Sequence, residues 1–146
     1  MSEVPQRQPH QAGCVAIGGR GLLIDGPPGS GKSSLALALI DRGAVLVGDD
    51  GLLLEDRGGG LIARPHPNTE GVIEVRNLGP LPLPICEETP VALVVRLDEA
   101  APRFVERAET VKIGGIVLPM LRLWPGSPIL ALKAELALAK YGLSCG

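Results

Sequence analysis

The stretch Gly26-Pro27-Pro28-Gly29-Ser30-Gly31-Lys32-Ser33 fits G-x-x-x-x-G-K-[ST] at every fixed position. Glycines let backbone N–H groups turn inward around phosphoryl oxygens. A helix starting at this point presents its unpaired N–H groups and partial positive charge to the same anion. On this reading Gly26, Pro27, Pro28, Gly29, Ser30 and Gly31 form a phosphate cradle, and Ser34 belongs to the helix start behind it. Lys32 reaches the β- and γ-phosphates of a nucleotide, and Ser33 offers its hydroxyl to Mg²⁺, a hard cation that prefers oxygen. The flanks agree. Gly21-Leu22-Leu23-Ile24-Asp25 reads as a strand, and residues 34–42 read as a helix stopped by Gly43.

Composition narrows the partners of such a loop. A chain of 146 residues is the size of one compact domain. It is 45% hydrophobic but has one Phe, one Trp and one Tyr (Phe104, Trp124, Tyr141), so its core is aliphatic and base stacking on aromatic platforms is disfavoured. A net charge of −2 supplies no electrostatic footprint for nucleic acid, which argues against such a partner. Cys14, Cys86 and Cys145 are odd in number and scattered, with no C-x-x-C pair, as expected of free thiols in the cytoplasm. Residues 1–10 are polar and contain no apolar h-region, and no apolar run approaches about 18 residues, so no membrane partner is expected. Residues 1–9 read as a flexible tail and residues 10–146 as a single phosphate-loop domain.

Along the chain, Cys14-Val15-Ala16-Ile17 and Gly21-Leu22-Leu23-Ile24 flank Gly18-Gly19-Arg20 and suggest a hairpin feeding the loop, so the sheet is expected to be mixed. Ala44-Val45-Leu46-Val47 is a short buried-strand pattern, expected beside and parallel to the phosphate-loop strand. Leu52-Leu53-Leu54-Glu55 and Leu61-Ile62-Ala63 suggest a second hairpin. Residues 72–76 alternate like a strand. Residues 78–84 are broken by prolines, which lack the ladder donor, so a rim or a loop facing a partner is expected there. Residues 90–97 have the continuous β-branched character of a central strand. Val111-Lys112-Ile113 and Ile116-Val117-Leu118 flank Gly114-Gly115 as a third hairpin. Ser127, Pro128 and Gly142 mark a closing helix over residues 129–140.

A phosphate loop needs a carboxylate on the metal side and a group that takes the proton of an attacking hydroxyl. Asp49 and Asp50 follow an apolar strand, and ligands of open α/β sheets bind at the carboxyl ends of such strands. Two adjacent carboxylates can divide these roles, with Asp49 taken as the base, although Asp-Asp-Gly is also a common turn. By spacing alone Glu74 beside Arg76 is as suited to a surface ion pair as to a metal ligand, and His10 and His66 read as solvated side chains.

Taken together, His10, the glycine-rich loop, Val47-Gly48-Asp49-Asp50 and Glu74-Val75-Arg76-Asn77-Leu78-Gly79 resemble the catalytic domain of the HPr kinase/phosphorylase family, in its short α-proteobacterial form without the N-terminal domain. The resemblance implies a phosphate-loop α/β fold with a mixed β-sheet, similar to that of phosphoenolpyruvate carboxykinase. It implies ATP and Mg²⁺ as cofactors and a serine of an HPr-like phosphocarrier protein as acceptor, with phosphorolysis by inorganic phosphate in reverse. It also allows a homo-oligomer. By the same resemblance Asp49 and Asp50 are the catalytic pair and His10 stands beside them, while Ser33 and Glu74 are metal ligands. Three departures stand out. Ser34 replaces an acidic residue, Asn77 replaces a glycine, and Pro125-Gly126-Ser127-Pro128 occupies the place of a Gly-Arg-Asn element. Two other readings of the loop are a small-metabolite kinase and a non-catalytic module in which nucleotide orders residues 78–84 for a partner.

Overall fold

The computed structural model describes the backbone of residues 7–10 and all of residues 12–144. In chain order the elements are β1 (Arg7–His10), β2 (Gly13–Ile17), β3 (Arg20–Asp25), α1 (Lys32–Asp41), β4 (Val45–Gly48), β5 (Leu52–Arg57), β6 (Gly60–Pro65), β7 (Val72–Val75), β8 (Gly79–Pro82), β9 (Thr89–Leu97), β10 (Glu109–Ile113), β11 (Ile116–Leu123) and α2 (Leu130–Tyr141). All three hairpins expected from the Gly-rich turns are present, as β2–β3, β5–β6 and β10–β11.

The sheet is organised on β9. One edge pairs parallel with β3, and the other is shared, antiparallel β6 taking Thr89 and Pro90 while parallel β11 takes residues 94–97. Beyond β3 the order continues through β2 to β4. The period of two along β3 sends Leu22 and Ile24 into a cluster under α1 and α2, and Leu23 into a second cluster on the helix-free face. Leu52, Leu54, Leu61 and Ala63 of β5 and β6 and Leu118 and Met120 of β11 join Leu23 there, so both wings close over that face. Such buried aliphatic side chains contribute about 1.5–3 kcal/mol each, which is how a chain with three aromatics fills two cores.

Several expectations need correction. The strand ending at Gly48 does not neighbour β3. It pairs antiparallel with β2, because the tight β2–β3 hairpin occupies that edge of β3 and β9 occupies the other. It still runs in the direction of β3, so both end at the same margin of the sheet. The expected tail ends in structure, since Arg7–His10 pairs antiparallel with β5, Pro9 opposite Leu53. Residues 1–6 lie outside the described residues, as does Cys145.

The proline-broken segment forms β8 and pairs with β7. The Leu83 N–H donates to the Gly71 carbonyl, and by the period of two Pro80 and Pro82 then turn their donorless side away from β7. The connection is a four-residue turn in which the Leu78 N–H donates to the Val75 carbonyl and Asn77 takes φ 76°. That third turn position demands positive φ, which explains why asparagine can stand in for glycine.

Both helices stop for stated reasons. At the end of α1, Gly43 at φ 110° sends its N–H to the Ile40 carbonyl and the Ala44 N–H reaches Leu39, a Schellman closure. Gly142 does not cap in this way, being extended at φ −68°. It is small because a Cβ would lie 2.5 Å from the Leu138 carbonyl oxygen. The chain is then tied to the sheet by the Leu143 N–H donating to the Ala92 carbonyl. No described helix is long and apolar enough to cross a membrane.

Candidate active site

The glycine-rich loop lies between the end of β3 and the start of α1. Gly29 and Gly31 adopt φ 79° and 101°, which side chains resist, and Gly31 is the N-cap of α1. No side chain caps that helix and no acid of its own lies in its first turn, so its first N–H groups have no side-chain acceptor. Gly26 is confined by its neighbours. A Cβ there would lie 2.6 Å from Ser30 Oγ and 3.2 Å from Leu97 Cβ at the end of β9. Ser30 Oγ is buried with no hydrogen-bond partner among the described residues.

Two aspartates from the end of β4 meet this loop, and their environments differ. Asp49 is 8% exposed, and both of its oxygens are engaged. Oδ1 accepts the Ser33 hydroxyl at 2.7 Å and Oδ2 accepts the Glu74 N–H at 3.1 Å. Asp50 has a side chain 67% exposed, with Oδ1 3.6 Å from Lys32 Nζ. Its backbone adopts φ 55°, a left-handed conformation that aspartate tolerates better than most residues. Of the Asp pair, one member is buried against the helix start and the other is open beside the lysine.

The structure brings together Lys32, Ser33, Asp49 and Asp50, and it brings the main chain of Glu74 onto Asp49. The Glu74 side chain is exposed, and among the described residues no three of His, Cys, Asp and Glu converge as a metal centre. The His10 backbone stands opposite Leu52, two residues beyond Asp50. Pro27 receives the Ser30 N–H on its carbonyl, closing a turn across Pro28. Ser34 lies on the first turn of α1.

Sequence reasoning missed one arrangement at this margin. Arg96 of β9 donates through Nε to Asp25 Oδ2 at 2.9 Å, and Arg122 of β11 bonds Asp98 and Glu109. No local signal links Asp25 to a residue 71 positions away. The parallel β3–β9 pairing creates the contact.

The chain is similar to known proteins in sequence and in fold. The family model described as HPr Serine kinase C-terminal domain matches residues 2–122. The HPr kinase/phosphorylase of Mycoplasma mycoides is 34% identical over 112 residues, covering 72% of this chain and 36% of that protein. That of Chlorobium phaeobacteroides is 31% identical over 147 residues, covering 90% of this chain and 46% of its own. The solved structure of the Hpr(Ser) kinase/phosphatase from Coxiella burnetii matches with a TM-score of 0.81 at 29% identity, covering 90% of this chain and 94% of that one. The chain spans less than half the length of these two curated relatives.

Proposed function

Since the chain belongs to the HPr serine kinase C-terminal domain family, we propose that it transfers the γ-phosphoryl group of ATP to a serine of an HPr-like phosphocarrier protein, with Mg²⁺ as cofactor. The observation behind this reading is the junction of loop, helix start and Asp pair, Ser33 to Asp49 at 2.7 Å and Lys32 to Asp50 at 3.6 Å.

The residues present suit a nucleotide phosphate. The loop has an uncapped helix N-terminus behind it, a lysine beside it and a buried serine hydroxyl lacking a partner among the described residues. They also suit Mg²⁺, which is usually held by one or two carboxylates together with substrate phosphates and water rather than by a full protein cage. Ser33 and Asp49 supply hard oxygens, and Glu74, whose N–H rests on Asp49, is a further candidate ligand. When bound, the ion would offset the negative charge that develops on the transferring phosphoryl group.

The partner pattern favours dividing the aspartates in the opposite sense to the sequence reading. Asp49, buried and doubly hydrogen-bonded, orients the Ser33 hydroxyl. Asp50, open to an incoming protein, accepts the proton of the acceptor serine as its oxygen forms the new P–O bond and the bond from the γ-phosphorus to the departing ADP breaks. In the reverse direction the same carboxyl returns that proton to the serine oxygen while inorganic phosphate takes the phosphoryl group and leaves as pyrophosphate. His10, whose backbone stands opposite Leu52 two residues beyond Asp50, is by the family resemblance a further candidate to support this proton transfer. In the alternative of a nucleotide-responsive module, residues 79–82 would need no ordering by nucleotide, because β8 is already paired with β7.

The decisive test incubates the protein with ATP, Mg²⁺ and an HPr-type carrier and reads phosphoserine on the carrier by mass spectrometry. Phosphoserine formation is expected. Nucleotide binding without any modification of the carrier would remove the substrate assignment.

A further inference from the structure

Strand β3 ends on Asp25, one residue before the first glycine of the loop. A bare carboxylate at that position opposes an anion held by the loop. In the sheet, Asp25 lies opposite Arg96 and Arg96 lies opposite Arg122, so the three side chains share one face at the margin where the loop begins. Arg96 Nε donates to Asp25 Oδ2 at 2.9 Å, with the two side chains 32% and 28% exposed. Arg122 is committed elsewhere, through Nη1 to Asp98 and through Nε to Glu109. The Asp98 carboxyl sits below its usual range, chiefly because the Ala100 N–H donates to it, then through Arg122, with Arg96 adding to the positive field. Arg96 thus stands between two carboxylates, and among the described residues it is the cation in contact with Asp25. Partly exposed ion pairs add little to folding, so a contribution to the fold alone is a weak reason for this one.

We propose that Arg96 is a positioning residue for nucleotide, acting through Asp25, whose negative charge it neutralises at the root of the phosphate-binding loop. The inference rests on the nucleotide reading above and adds to it a residue outside the loop on which anion affinity depends. The effect is electrostatic. It acts over several ångströms, and added salt therefore screens it, the Debye length being about 10 Å at 0.1 M.

The test is calorimetric titration of ATP with Mg²⁺ into the wild-type protein and the variants R96Q, R96K, D25N and D25N/R96Q, each at low and at high salt. R96Q is expected to weaken ATP binding about tenfold at low salt, as one uncompensated charge near a polyphosphate implies at intermediate dielectric, and by much less at high salt. D25N/R96Q is expected to recover wild-type affinity within about twofold, because the charge being shielded is gone, R96K to stay close to wild type, and D25N, which leaves Arg96 uncompensated, to bind ATP at least as tightly as wild type. Should R96Q not fold, D25N/R96Q decides the matter, since a purely structural ion pair predicts a loss of affinity when both partners are removed. Unchanged affinity in R96Q, or failure of the double variant to recover, overturns the inference while leaving the nucleotide reading intact. Absence of ATP binding by the wild-type protein overturns the nucleotide reading and this inference with it.

Discussion

Replacing each aspartate of the pair by asparagine separates scaffold from chemistry. In Asp50→Asn the exposed carboxylate loses its charge opposite Lys32, an ion pair at 3.6 Å with the Asp50 side chain 67% exposed. Exposed pairs of this kind contribute about 0–1 kcal/mol, and asparagine accepts the left-handed backbone at φ 55° at least as well as aspartate. The melting temperature should therefore move by no more than about 4 °C, taking roughly 2–4 °C per kcal/mol for a domain of this size. Phosphoryl transfer should fall by about 10²–10⁴-fold, the usual worth of a positioned base, with ATP affinity within a few-fold of wild type. Asp49→Asn behaves differently. The carboxylate accepts two hydrogen bonds, from Ser33 and from the Glu74 N–H, in a site 8% exposed. An amide keeps one acceptor and turns a donor toward the other partner, forfeiting about 1.5–3 kcal/mol, or a fall in melting temperature of roughly 3–12 °C. The assays are thermal unfolding by circular dichroism, calorimetric titration of ATP with Mg²⁺, and phosphoserine formation at saturating carrier. An Asp50→Asn variant transferring at near wild-type rate refutes the division of roles. If Asp49→Asn is also fully active, the pair has no part in the chemistry.

Other outcomes follow from the same geometry. Lys32→Ala should weaken ATP binding and lower turnover together, because on the proposed reading the ammonium meets the β/γ-phosphates in both the ground and the transition state; titration beside steady-state rates checks this, and a loss confined to turnover contradicts it. At residue 77, which adopts φ 76°, Asn77→Ala should be about 1 kcal/mol less stable than Asn77→Gly by urea denaturation, since alanine pays the left-handed penalty that glycine avoids. Acid should cost stability through Glu88, held below its usual range by hydrogen bonding to Arg57, and through Asp98, held down by the Ala100 N–H and Arg122. Both are depressed in the folded state, so their contribution is complete above the unfolded values near pH 4 and is lost as pH falls through the lower folded values. Glu88→Gln should then be less stable than wild type at neutral pH and converge with it in strong acid, and a constant difference across pH would contradict the linkage.

What the sequence determined by itself was local. The glycine-rich loop, the hairpins marked by Gly18-Gly19, Gly58-Gly59 and Gly114-Gly115, the continuous apolar run of β9 and the helix stop at Gly43 were legible because each depends on φ preferences or side-chain periods within a few residues. The proximity of Asp49 and Asp50 to the loop was legible as well, because strands running in one direction end at one margin. Tertiary structure decided the rest. The position of β4 beyond β2 depended on which edges of β3 were already occupied, and the pairing of β8 with β7 on prolines at alternate positions that each face outward. The division between the buried, doubly bonded Asp49 and the open Asp50 depended on burial, to which two adjacent identical letters give no clue. The Asp25–Arg96 pair exists only because parallel strands bring residues 71 positions apart into register, and that register is set by the summed packing of both faces of the sheet rather than by any short stretch of chain.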